Sequence, residues 1–182
     1  NVDVSFVEPV LAGWGHLVVE SSFLSSSYSA GRGPAAGSIY LGPQQCAGKA
    51  ALPDLRRADP PISAIVNCTN AYPNHHVEDG IKYCRVPVND EDKANILLYL
   101  DGTSRFLHHH LSQGHSVLVH CQMGVSRSAT VVMSYLMRHH NMSRDDAYRH
   151  VKERRPKIHP NPGFWQQLLI YERRLLADQS AR

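Results

Sequence analysis

The fold is decided by the stretch His120-Cys121-Gln122-Met123-Gly124-Val125-Ser126-Arg127-Ser128. It follows the mostly apolar run 116–120, which is typical of a buried central strand. It precedes apolar residues that recur at helical spacing from about 127 to 139. A loop between a buried strand and a helix start directs free backbone amides at one place, where the helix dipole favours negative charge. The stretch therefore predicts an anion-binding loop.

Two side chains of this loop suit phosphate chemistry. Cys121 ends the strand and faces the amides, which can lower a thiol pKa from ~8.5 to ~3.5–7.5 and so create a nucleophile. Arg127 carries a planar guanidinium that can hold two phosphate oxygens. Ser128 can donate a hydrogen bond to the sulfur, and Gly124 allows a turn that a side chain would block. The alternative, a structural thiol with a solvated arginine, leaves the coincidence of these features unexplained.

The remaining segments predict the architecture. The predicted strands are 38–42, 62–68, 81–86 and 116–120, and the predicted helices are 92–113, 127–139, 143–155 and 161–177. Ser143 with Asp146 is similar to a capping box, and Asn161-Pro162 is a typical helix start. Residues 44–58 have helix potential that Pro53 interrupts. This order of elements predicts an α/β or α+β domain.

The N-terminal part of the chain has a different composition. The runs 2–10 and 17–19 are strand-like, and a serine-rich stretch followed by several glycines comes next. We predict a flexible or weakly structured N-terminal extension over residues 1–37 and a compact domain over residues 38–178.

The overall composition excludes several classes of protein. The chain has 182 residues, enough for one domain with a proper core, and no apolar run approaches the ~20 residues of a membrane-spanning helix. The net charge of +3 is too small to indicate a nucleic-acid partner. The four cysteines form no CxxC pair, which argues against a zinc ribbon, a thioredoxin motif or a disulfide scaffold. We expect an intracellular protein, cytoplasmic or nuclear or both.

The nine-residue loop resembles the signature HCxxGxSRS of cysteine-dependent phosphatases of the dual-specificity class. The resemblance extends over residues 38–175, through Ile39-Tyr40-Leu41-Gly42, Ile65-Val66-Asn67-Cys68-Thr69 with Pro73-Asn74, Arg154-Arg155-Pro156, and Pro160-Asn161-Pro162-Gly163-Phe164 with Gln167-Leu168. The stretch 89–95 is similar to the slingshot and MAP-kinase-phosphatase branches, so we place the chain among atypical, slingshot-like or MAP-kinase-phosphatase-like members. The resemblance implies the α/β cysteine-phosphatase fold, with a central, mostly parallel sheet flanked by helices.

The resemblance also implies a mechanism. Cys121 would form a phosphocysteine, and Gln122, Met123, Gly124, Val125, Ser126 and Arg127 would surround the phosphate. A loop carboxylic acid would protonate the leaving oxygen and later activate water. Asp90 has the family spacing, 31 residues before Cys121, and Asp92 is the rival, with helix capping as its alternative role.

Three further residues receive supporting roles through the same resemblance. His120 would be held by hydrogen bonds and would orient the loop and tune the thiol. Asn161 would brace the loop, or only cap its helix. Cys68 would trap oxidised Cys121 as a disulfide, unless it is an ordinary buried thiol.

The implied function is hydrolysis of phosphotyrosine and phosphoserine or phosphothreonine in proteins, without a cofactor or metal. Consecutive histidines 108–110 on a helix point in different directions, which argues against a metal site. The basic residues Lys152, Arg154, Arg155 and Lys157 are expected on a solvated face, with attraction of phosphorylated substrates as the alternative. The partners would be phosphorylated proteins, a kinase among the candidates, and the oligomeric state is left open. The alternatives are a phosphoinositide or RNA 5′-phosphate substrate, which the uncharged loop residues disfavour, and a phosphoprotein-binding module.

Overall fold

The computed structural model describes residues 16–19 and 37–181. The strands are β1 (His16–Val19), β2 (Ile39–Pro43), β3 (Ile62–Asn67), β4 (Lys82–Arg85) and β5 (Ser116–Cys121). The helices are α1 (Leu52–Arg57), α2 (Leu97–Ser112), α3 (Arg127–His140), α4 (Arg144–Arg154) and α5 (Pro162–Ser180). The four strands predicted after residue 37 are found within one residue of their predicted bounds.

The five strands form one sheet in the order β1-β2-β5-β3-β4. Strands β2, β5, β3 and β4 are parallel, whereas β1 pairs with β2 in the antiparallel direction. Every residue of β5 is buried, because this strand lies between β2 and β3 and is covered on both faces. The predicted α/β fold with a central, mostly parallel sheet is confirmed.

The two faces of the sheet carry separate apolar clusters. Val117, Val119 and Cys121 face the larger cluster, which α2, α3, α4 and α5 complete. Leu118 faces a smaller cluster that Leu55 of α1 and Cys46 complete. Since parallel strands covered on both sides need apolar residues throughout, this arrangement explains the continuous apolar character of 116–120.

Two predicted helices were wrong in detail. Helix α2 begins at Leu97 and not at 92, because Gln167 of α5 holds the preceding turn. The side-chain nitrogen of Gln167 donates to the Ala94 carbonyl over 2.8 Å, and Gln167 Oε1 accepts from the Leu97 amide over 3.0 Å. The prediction that Pro53 interrupts a helix was also wrong. Pro53 lies in the first turn of α1, where no hydrogen bond needs its missing N–H, so α1 begins there.

Part of the predicted N-terminal extension belongs to the sheet. The strand predicted over 17–19 is present in β1, which pairs with β2 through His16 and Leu41. The strand-like run 2–10 and the serine-rich stretch lie outside the described residues. None of the described helices is long and apolar enough to cross a membrane.

Candidate active site

The loop between β5 and α3, residues 122–126, turns sharply at Gly124. This glycine has a φ of 65°, in the left-handed region. A Cβ placed on Gly124 would lie 2.6 Å from the Gly42 carbonyl and 2.7 Å from the Arg155 guanidinium. Both the backbone conformation and the packing therefore require glycine at this position.

The Cys121 thiol lies at the bottom of this loop and is 1% exposed. Its Sγ accepts hydrogen bonds from the Gly124 amide and from the Ser128 hydroxyl, each over 3.2 Å. Burial by itself would raise the pKa of this thiol, but the Ser128 hydroxyl, the amides of Ser128 and Val125 and the Arg127 charge outweigh burial. The net result is a lowered pKa of Cys121, which favours the thiolate.

The Arg127 side chain is also almost fully buried, at 8% exposure. It begins α3, and its Nη1 donates to the Val88 carbonyl over 3.2 Å. Its Nε lies 3.8 Å from Asp90 Oδ2. The guanidinium is thus held beside the loop by the segment that leads from β4 to α2.

The structure brings Asp90 to the loop and leaves Asp92 away from it. Asp90 Oδ1 accepts from the Ser126 hydroxyl over 2.6 Å and from the Asn161 amide over 2.9 Å. Asp92 instead faces the start of α5, where its Oδ1 lies 3.4 Å from the Gly163 amide. Of the two predicted candidates, Asp90 is the one with contacts to loop residues.

Asn161 combines the two roles that the sequence left as alternatives. Its Oδ1 accepts from the Phe164 amide over 2.8 Å, which caps α5. Its side-chain amide contacts Asp90, and its backbone amide donates to Ser126 Oγ over 3.1 Å. Asp90, Ser126 and Asn161 therefore form a closed hydrogen-bonded group at the edge of the loop.

The family model of the dual specificity phosphatase catalytic domain matches residues 39–174. The chain belongs to the dual specificity phosphatase family. It is 43% identical over 121 residues to human dual specificity protein phosphatase 14, a match that covers 66% of this chain and 61% of that protein. It thus spans about 61% of the length of this curated relative.

Two further comparisons extend over more of the chain. Human dual specificity protein phosphatase 21 is 38% identical over 165 residues, covering 87% of this chain and 86% of that protein. The crystal structure of a mouse dual specificity phosphatase complexed with zinc tungstate superimposes with a TM-score of 0.74 at 31% identity. That superposition covers 98% of this chain and 97% of the mouse chain.

His120 is placed differently from what the family resemblance implies. Its side chain is fully buried, but neither ring nitrogen has a hydrogen-bond partner among the described residues. The Tyr72 ring meets the imidazole edge-on, with centroids 5.8 Å apart. Burial lowers the pKa of His120 to about 4, although the adjacent Cys121 backbone opposes part of this shift. The ring is thus neutral at pH 7 and is held by packing.

Cys68 lies beside Cys121 at the ends of neighbouring strands in this dual specificity phosphatase domain. Asn67 pairs with His120, and the Cys68 amide donates to the His120 carbonyl over 2.8 Å. Both thiols face the larger apolar cluster. Burial, with the neighbouring Cys121 and Cys84, raises the pKa of Cys68 well above its usual value, so this thiol stays protonated at neutral pH.

Arg155 is a site residue that sequence reasoning missed. It was expected on a solvated basic face, yet it is 0% exposed. Its Nε donates to the Gly124 carbonyl over 2.7 Å, and its Nη2 donates to the Met123 carbonyl over 3.2 Å. Only the position of Arg155 just before Pro156, where α4 has ended, distinguishes it in sequence from its charged neighbours.

The histidines of α2 and α3 pack against one another and against aromatic rings. His108 and His139 stack with centroids 4.2 Å apart and an interplanar angle of 7°, and Tyr135 stacks on His139 at 4.9 Å. Within the described part of the chain, no three His, Cys, Asp or Glu side chains form a group that could hold a metal ion.

Proposed function

We propose that this chain is a protein phosphatase that hydrolyses phosphotyrosine and phosphoserine or phosphothreonine through a phosphocysteine on Cys121. The observation that carries the proposal is the environment of one sulfur atom. Cys121 Sγ accepts two hydrogen bonds inside a loop whose helix begins with the buried Arg127. A thiol with a lowered pKa next to a guanidinium suits nucleophilic attack on a phosphate ester.

In the first step, the Cys121 thiolate attacks phosphorus, and the S–P bond forms as the bond to the leaving oxygen breaks. Arg127 and the amides of the loop bind the non-bridging oxygens and stabilise their charge in the transition state. The protonated Asp90 carboxyl gives its proton to the leaving oxygen. Since Ser126 and Asn161 both donate to Oδ1, Oδ2 is the oxygen that carries this proton.

In the second step, water attacks the phosphocysteine. The Asp90 carboxylate accepts the proton of this water, the O–P bond forms and the S–P bond breaks. The Ser128 hydroxyl, 3.2 Å from the sulfur, donates a hydrogen bond to the departing thiolate. Inorganic phosphate is released and the starting protonation of Asp90 and Cys121 is restored.

Protein substrates are favoured by the residues at the mouth of the loop. Gln122, Met123 and Val125 carry no charge, and Met123 is 63% exposed. An apolar side chain at the rim suits a polypeptide better than a highly charged inositol phosphate or an RNA 5′ end. The partners we propose are phosphorylated proteins, a kinase among them. A nucleophilic thiolate must stay reduced, so we also propose an intracellular site of action, cytoplasmic or nuclear or both.

The decisive experiment compares turnover of a small aryl phosphate by wild type, Cys121→Ser and Cys84→Ser. Cys84 lies on β4 outside the loop, so its substitution controls for loss of a thiol as such. We expect turnover by wild type and Cys84→Ser and none by Cys121→Ser. Wild-type protein that binds phosphopeptides without releasing phosphate would establish a binding module instead. A preference for phosphoinositide or 5′-phosphorylated RNA over phosphopeptides would overturn the substrate class.

A further inference from the structure

The backbone carbonyls of residues 122–125 all have partners outside the loop. The Gln122 carbonyl accepts from the Gln44 amide over 3.4 Å, and the Val125 carbonyl accepts from the His159 amide over 2.9 Å. The two carbonyls between them, of Met123 and Gly124, both accept from Arg155. One side chain therefore fixes the middle of the loop.

The backbone amides of the loop point inward, opposite to its carbonyls. The Gly124 amide donates to Cys121 Sγ over 3.2 Å, while the Met123 carbonyl, which lies in the same peptide plane, accepts from Arg155 over 3.2 Å. The Val125 and Ser128 amides also act on the thiol and lower its pKa. Because a peptide plane carries its N–H and its C=O on opposite edges, holding the carbonyls outward turns the amides inward.

The stability of the fold does not explain why an arginine is buried at position 155. Its guanidinium is fully buried, its Nη1 has no hydrogen-bond partner, and it has no ion pair within the described residues. Burial lowers the pKa of Arg155, although the nearby thiols Cys46 and Cys121 oppose this shift. Burying a charge without a carboxylate partner is costly, and well-packed apolar residues often replace buried charges without loss of stability.

We propose that Arg155 is a positioning residue, which holds the Met123 and Gly124 carbonyls outward so that the loop amides converge on the Cys121 thiolate and on a bound oxyanion. This proposal rests on the proposed phosphatase function for its kinetic consequence only. The two hydrogen bonds leave from different nitrogens of one planar group, a geometry that a lysine ammonium cannot reproduce. The Gly42 carbonyl closes the other side of Gly124, so the loop lies between β2 and the guanidinium.

The test uses Arg155→Met, Arg155→Lys and the control Arg154→Met. Arg154 is the preceding residue, and its Nη1 donates to the His150 carbonyl in α4. Three quantities are measured: the rate of Cys121 alkylation by iodoacetamide against pH, the Kd of inorganic tungstate, and kcat and KM for an aryl phosphate. Thermal unfolding is followed for each variant.

We expect Arg155→Met to shift the alkylation profile to higher pH and to weaken tungstate binding at least ~10-fold, with kcat/KM lower by roughly 100-fold. Arg155→Lys should lie between this variant and wild type, and Arg154→Met should match wild type in all three measurements. Arg155→Met with a wild-type alkylation profile and tungstate Kd would overturn the proposal. So would the loss of a cooperative unfolding transition in both Arg155 variants, because Arg155 would then hold the fold.

Failure of the proposed function has a different signature. Wild-type protein would bind tungstate and show low-pH alkylation of Cys121 but would release no phosphate from any ester. The role of Arg155 would still be decided by the first two measurements, which require no turnover.

Discussion

Asn161 donates its side-chain amide to Asp90 over 2.9 Å, although 71 residues separate them in the chain. The same asparagine caps α5 through its other side-chain atom. The position of the proposed acid is thus coupled to the start of a helix. Because different atoms of this side chain make the two contacts, a substitution can keep the cap and remove the contact to Asp90.

We predict that Asn161→Ser retains the cap and loses the contact to Asp90. Serine caps helices about as well as asparagine, so the free energy of unfolding should change by less than about 0.5 kcal/mol, whereas Asn161→Ala should lose ~1 kcal/mol. Both variants should lose roughly 10-fold in kcat, which is part of the ~10²–10⁴-fold rate enhancement that a positioned acid contributes. Chemical denaturation and steady-state kinetics measure the two effects. Equal kcat for Asn161→Ser and wild type would remove Asn161 from the positioning of the acid.

Asp90→Asn tests the proposed acid itself. We expect kcat to fall by ~10²–10⁴, and the limb of the pH–rate profile that reports this acid should disappear. Asp92→Asn is the matched control, because Asp92 faces the Gly163 amide and not the loop. If the loss of kcat and of that limb occurred with Asp92→Asn instead, the assignment to Asp90 would be wrong.

Ser128→Ala should raise the pKa of Cys121. The hydroxyl donates to Sγ and is the strongest of the contacts that lower this pKa, so its removal favours the neutral thiol. At a pH below the raised pKa, alkylation of Cys121 should be slower than in wild type, while at high pH it should reach the wild-type rate. The control is Ser134→Ala, since Ser134 is also buried in α3 but donates to the Val131 carbonyl. An unchanged alkylation profile in Ser128→Ala would contradict the prediction.

Mild peroxide should join Cys68 to Cys121. The Cys121 thiolate is oxidised to a sulfenic acid with reduction of peroxide to water, and the Cys68 thiol then displaces water to form the disulfide. Cys121 ends β5, Cys68 directly follows the neighbouring strand β3, and both thiols face the larger apolar cluster.

Mass spectrometry of digested protein should find the Cys68–Cys121 linkage in wild type and in Cys84→Ser. In Cys68→Ser, peroxide should inactivate the protein irreversibly, because the sulfenic acid is oxidised further. Absence of the linkage in oxidised wild type would leave Cys68 as an ordinary buried thiol.

Two partly buried histidines of α3, His139 and His140, predict a loss of stability in acid. Burial lowers the pKa of His139 and His140 to about 4, against ~6.5 in an unfolded chain. The unfolded state therefore binds more protons as the pH falls from ~6.5 to ~4, and each histidine reduces the free energy of unfolding in this window, by at most ~1.4 kcal/mol per pH unit. Above ~6.5 this contribution does not change with pH.

Denaturant unfolding at several pH values should show a smaller slope in this window for His139→Gln than for wild type. His159→Gln is the control, because His159 is exposed in the loop before α5. Equal slopes for His139→Gln and wild type would show that the folded protein protonates His139 near its ordinary pKa.

The site residues whose contacts the sequence could predict are those whose surroundings are local. Cys121, Arg127 and Ser128 lie within one strand, one loop and one helical turn, so the spacing of nine residues determines their contacts. Asp90 required knowledge of the family, because it comes from another segment. The contact of Asp90 with Asn161 appears only when the loop before α2 and the start of α5 are both placed.

Arg155 shows where such reasoning fails. Charge and sequence neighbours place it among solvated residues, because a run of basic residues normally faces water. Its burial depends on how α4 ends against the loop, which is a tertiary property. The start of α2 was missed for a similar reason, since Gln167 from the far end of the chain holds the preceding turn.

The burial of α3 sets the mutational tolerance of this domain. Residues Arg127–Met137 are all buried, so one helix both supports the loop and forms the centre of the core. Most substitutions along it should lower the abundance of folded protein in cells together with phosphatase activity. Asp90, one third exposed on its loop, should behave differently, losing activity at unchanged abundance. A mutational scan that scores the two properties separately would therefore divide the active site into a part made by the core and a part added at its surface.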